Sequence, residues 1–76
     1  MSKEWIALLT QFVLHKRLTK ERITKIFGWS ESKTEQMVIA LIRAGLVTEK
    51  SSDVYHLEMF MYPFIVSFLK DKDVLI

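Results

Sequence analysis

The stretch from Leu18 to Leu57 reads LTKERITKIFGWSESKTEQMVIALIRAGLVTEKSSDVYHL, and its punctuation decides the fold. Thr19 suits an N-cap, because its hydroxyl can accept a bond from a free amide in the first turn of a helix. A short helix over about residues 20–27 follows, with Ile23, Ile26 and Phe27 inward and Lys20, Arg22, Thr24 and Lys25 toward water. Gly28 stands where a helix needs a residue that tolerates positive φ. Gly28-Trp29-Ser30 then forms a turn, and either Ser30 or Ser32 caps the next helix; Ser32 with Glu35 matches the capping-box pattern. That helix spans about residues 31–44. Thr34, Val38, Leu41 and Gly45 line one face at three- and four-residue spacing, flanked by Met37 and Ile42. Ala44-Gly45-Leu46-Val47 ends the helix and starts a strand. Strands are expected at about 46–49 and 54–57, joined by the polar segment Lys50-Ser51-Ser52-Asp53.

Outward from this stretch lie two more helices. Residues 3–16 carry Trp5, Leu8, Leu9 and Phe12 on one face, widened by Ile6 and Val13, with Ala7 and Leu14 behind. From Met59 the chain turns almost wholly apolar (MFMYPFIVSFL). Pro63 is acceptable in a first helical turn, so a fourth helix is expected over about 63–70. Val74-Leu75-Ile76 forms an apolar tail. The expected architecture is one domain over residues 1–76, mainly α with a small β-hairpin and an extra C-terminal helix.

Composition narrows the function. With 76 residues, the chain makes one small domain, which buries about 60% of its extended-chain surface. There is no cysteine, so disulfides and thiolate metal sites are excluded. His15 and His56 are the only histidines, and neither has a carboxylate at a spacing that suggests catalysis or metal binding. Gly28 and Gly45 are both explained as helix stops, which leaves no glycine-rich phosphate loop. No enzyme, cofactor or metal is expected. The start MSKEW is charged and lacks a signal-peptide pattern, so a cytoplasmic protein is expected. The longest apolar run falls short of the ~20 residues that span a bilayer. The net charge of +2 identifies no partner by itself, so its distribution matters more.

A capped, polar helix start, an inward Leu41 four residues before Gly45, and then Gly-Leu-Val form a pattern that runs from Ser32 through Val47. In this the chain resembles the winged helix-turn-helix DNA-binding family, and the resemblance covers about half the residues. It implies a winged helix-turn-helix with the hairpin as wing and the third helix entering a groove of double-stranded DNA. In that arrangement Lys16, Arg17, Lys20, Arg22 and Lys25 would lie beside the DNA backbone and neutralise phosphates. The outer face of the third helix carries Ser32, Gln36, Ile39 and Arg43, with Lys33 beside it. Gln36 suits an adenine edge, Arg43 a guanine or phosphate, and Ile39 a thymine methyl. Lys50 would place the wing tip on the backbone. The function implied is transcriptional regulation by a homodimer.

Two features favour a different use. Met37 to Ile42, MVIALI, is six apolar residues in a row, and Glu31 and Glu35 put negative charge near the helix start, where phosphates often dock. Both suit a winged-helix adaptor or inhibitor that meets another protein and not DNA. The first helix and Met59–Leu69 also hold more apolar surface than a small monomer needs. Trp5, Phe60, Phe64, Ile65, Phe68 and Leu69 are therefore the expected dimer contacts, unless the fourth helix simply completes one monomer's core.

Overall fold

The computed structural model describes residues 2–74; Leu75 and Ile76, read above as part of an apolar tail, lie outside the described residues. Four helices and three strands follow in the order α1 (Lys3–His15), β1 (Arg17–Thr19), α2 (Lys20–Phe27), α3 (Glu31–Arg43), β2 (Val47–Ser51), β3 (Val54–Leu57) and α4 (Tyr62–Asp71), with a single 3-10 turn at Met59–Met61 before α4. The fold is mostly helical with a small three-stranded antiparallel sheet of order β1-β3-β2.

Each helix begins and ends for a local reason. The hydroxyls of Ser2, Thr19 and Ser30 accept the amides of Trp5, Arg22 and Lys33, which caps α1, α2 and α3. Ser30 is therefore the cap of α3, and the expected Ser32–Glu35 box does not form, because Ser32 already lies inside the helix. Gly28, at φ +68°, stops α2 and returns its amide to the Thr24 carbonyl at 2.8 Å. At the end of α3, Gly45 donates to Ile42 at 2.9 Å and Leu46 to Leu41 at 3.1 Å, a Schellman pair closed at φ +78°. Residue Lys16 ends α1 in the same left-handed region, at φ 64°, without being glycine. Its cost there is offset locally: Nζ donates to the Val13 carbonyl at 2.7 Å and sits 4.5 Å from the centre of the Tyr62 ring.

The C-terminal end of α4 repeats the Schellman geometry with Asp73 in the glycine position, at φ 58°. A side chain there costs roughly 1 kcal/mol, partly returned because glycine is freer in the unfolded chain. Asp73→Gly should accordingly raise stability by up to about 1 kcal/mol in urea unfolding. An unchanged or lowered midpoint would mean that the aspartate side chain supports the turn.

The core is assembled from every element. Leu8, Leu9, Phe12 and Val13 of α1 meet Leu18, Ile23, Val38, Leu41, Val47, Tyr55 and Leu57, and Ile65 and Leu69 of α4 close the far side. Helix α4 packs on α1, while α2 packs on α3 and on β1. Strand β1 was not expected. Leu18 pairs with Tyr55, and both side chains are buried, so the residues leading into the Thr19 cap add an edge to the hairpin. Within the hairpin, the pairing skips Lys50, and the turn is Ser52-Asp53 with Asp53 at φ 60°. Two assignments on α2 change: Ile26, expected inward, is 40% exposed, and the Lys20 side chain, expected in water, is largely covered.

Candidate nucleic-acid interface

The outer edge of α3 is open to solvent. Thr34, Val38 and Leu41 turn into the core, with the Thr34 hydroxyl satisfied by the Ser30 carbonyl at 2.9 Å. The opposite edge carries Ser32, Gln36, Ile39 and Arg43, all exposed and at the spacing that stacks residues along one helix side. Ile39 is 44% exposed. The three-residue turn before α3 is stiffened by Trp29, whose ring stacks on Phe27 with centroids 4.3 Å apart. Nothing in the local sequence predicts that pair beyond two aromatic residues near a turn.

The eight basic residues expected at the DNA split into two groups. Some are already partnered. Lys20 Nζ contacts Glu35 at 2.9 Å, Asp53 at 3.5 Å and Glu31 at 3.7 Å, which ties the start of α2 to α3 and to the hairpin turn. The Lys20 amide also donates to the Asp53 carbonyl at 2.9 Å. Lys33 reaches Glu4 of α1 at 2.6 Å and lies 5.4 Å from the centre of the Trp29 ring. Lys25 pairs with Glu21 one turn away at 3.2 Å. Lys16 is engaged with Tyr62, near the start of α4 and away from α3. Lys16, Lys20 and Lys25 were expected to neutralise phosphates and Lys33 to flank the outer face of α3; their ammonium groups instead have intramolecular partners.

The second group is solvent-facing. Arg17, Arg22, Arg43 and Lys50 are exposed, and the ion pairs found among the described residues do not include them. Arg17 and Arg22 share a shallow depression with His15, Leu18 and Thr19 that has no carboxylate in its lining. Arg43 ends the outer edge of α3, and Lys50 is the bulged residue of β2.

Between α3 and the hairpin runs a groove with Val38, Ile39, Ile42 and Tyr55 in its lining and Glu35, Glu49 and Asp53 among its polar groups. The reading of the sequence missed it, because the carboxylates are far apart in the chain and converge only when the hairpin folds against α3. Burial, helped by Glu49 and Asp53, pushes the Tyr55 phenol above its ordinary range.

The hydrogen bond that Lys20 donates to Glu35, with Asp53 and Glu31 adding, holds its ammonium above the usual lysine range, against the effect of burial. The charged form is favoured on folding, so its stabilisation is complete below the unfolded value near ~10.4 and fades as pH climbs through the raised folded value. Lys20→Met should therefore melt a few degrees below the parent at neutral pH, with the gap narrowing in strong alkali. The partner carboxylates are half exposed or more, so solvent keeps the gap small. A gap that widens with pH would contradict this account.

The expected dimer contacts also divide. Ile65 and Leu69 are 3% and 0% exposed and belong to the protomer's own core, so they cannot meet a second copy. The reason is geometric: an all-round apolar helix still has one face that α1 covers. Trp5 and Phe68 are partly buried against that core, whereas Phe60 and Phe64 stand 71% and 67% exposed.

Among the described residues no helix is long and apolar enough to cross a membrane. No family model, curated protein or solved structure matches this chain.

Proposed function

We propose that this chain is a winged helix-turn-helix protein that binds double-stranded DNA as a cytoplasmic transcriptional regulator. The observation that carries the reading is the unobstructed edge Ser32-Gln36-Ile39-Arg43 on a helix that follows α2 through a three-residue glycine turn and has a hairpin beside it. That pairing of helices is the one that places the second helix in the major groove. Gln36 and Arg43 would supply base-edge or phosphate contacts, with Ser32 beside them at the helix start. Arg17, Arg22 and Lys50 would hold the backbone. Four unpaired cations make a modest electrostatic footprint. The affinity for random duplex should fall with salt at a log–log slope of about −3.6, or about a hundredfold between roughly 50 and 200 mM.

A second reading is favoured by one specific observation. Glu31, Glu35 and Asp53 surround Lys20 on the side of α3 that faces the hairpin, and Glu49 joins Glu35 and Asp53 in the groove where Ile39 is open. An acidic groove with an apolar lining suits a basic protein segment better than phosphates. Fluorescence anisotropy with labelled random duplex at low salt separates the two. Binding with the slope above supports the regulator; no binding at low salt gives the surface to a protein partner.

A further inference from the structure

The apolar surface at the start of α4 is the largest feature that the DNA reading leaves unused. Met59, Phe60 and Phe64 are 56%, 71% and 67% exposed. Beside them lies an open groove of about 210 Å³, lined by Leu9, Leu46, Met61, Ile65, Phe68 and Phe64 itself. For scale, an apolar cavity of about 150 Å³ admits benzene. A protruding aromatic ring therefore stands next to a recess wide enough to accept one.

From this we infer that the surface is the docking site for a second copy of the chain, joined by a two-fold axis so that the Phe64 rings enter each other's grooves. A closed two-fold contact requires one patch to complement itself, and a ring beside a ring-sized recess meets that condition. The area agrees. A large side chain offers about 150–250 Å², so the exposed parts of Met59, Phe60 and Phe64 offer about 400 Å² per copy. Two copies bury about 800 Å² from these side chains, and half-buried Met61, Tyr62 and Phe68 carry the total to the ~1,000 Å² at which specific interfaces begin. A contact at this lower bound belongs to the weak, concentration-dependent class and not to obligate dimers. Isolated exposed hydrophobic residues need no explanation; a patch of about 400 Å² beside an apolar recess matches the largest patch of a typical monomer, and such patches are often functional.

The test needs no DNA, so its failure is separate from that of the regulator reading. Sedimentation equilibrium of the full chain, from low micromolar to near-millimolar, should show mass rising from one chain to two and stopping there. Phe64→Glu and Phe60→Glu should each weaken the dimer at least tenfold while circular dichroism stays unchanged, since both side chains point to solvent in the protomer. Ile26→Glu, a comparable exposed site on α2, should dimerise as the parent does. A parent that stays monomeric throughout, growth beyond two chains, or a folded Phe64→Glu variant that dimerises with parental affinity would overturn the proposal.

Discussion

Replacing Phe12 with alanine is expected to leave most of the chain unfolded at room temperature. Phe12 is 0% exposed and is the largest of the fully buried side chains. It belongs to the cluster that joins α1 to the sheet, α3 and α4. Truncating a buried phenylalanine costs about 3–5 kcal/mol, because the lost transfer energy is joined by a cavity that neighbours fill only in part. A chain of 76 residues has roughly 4–11 kcal/mol of total stability. A domain this small buries too little surface to sit high in that range, and near its lower end the loss takes most or all of the stability. Urea unfolding of the parent and thermal melts of the variant, followed by circular dichroism, check this. A cooperative transition displaced by less than about 1.5 kcal/mol would show that the core closes over the gap and is looser than its burial implies.

The second large effect concerns charge. Removing Arg22, Arg43 and Lys50 together should weaken random-duplex binding about a hundredfold at low salt and flatten the salt slope from about −3.6 to about −0.9. The fold should be untouched, since all three side chains are exposed. Conversely, Glu35→Gln with Asp53→Asn removes two charges from the neighbourhood of Lys20 and should tighten binding. A similar triple replacement of Lys16, Lys25 and Lys33 should alter the slope far less, because these ammonium groups already have partners within the protomer. Equal slopes for the two triple variants would sink the division of cations into committed and available.

That division marks where the sequence stops being legible. Helix ends were readable because caps are local: Thr19 lies three residues before the amide it accepts, and Gly28 and Gly45 sit where positive φ is needed. The inward faces of α1 and α3 were readable from spacing alone, as the burial of Leu8, Leu9, Phe12, Val38 and Leu41 shows. Strand β1 was not, because Arg17-Leu18-Thr19 is too short to display alternation and gains its identity from Tyr55 across the sheet. The orientation of α4 was hidden too. Apolar residues surround that helix, so only the position of α1 decides that Ile65 is inside and Phe64 outside. Lys20 was read as solvated because Glu31, Glu35 and Asp53 lie far along the chain. Charge pairing across elements leaves no periodic trace.

The absence of slack around β1 has a consequence for how this molecule can be altered. A single residue, Lys16, separates α1 from β1, and α2 begins immediately after Thr19. Adding one residue at Lys16 would turn Leu18 away from Tyr55 and swing every side chain of that strand to the opposite side. Fluorescent labels, epitope grafts and fused domains therefore need sites away from this junction, and also away from Asp53, whose carbonyl and carboxylate hold Lys20 at the start of α2.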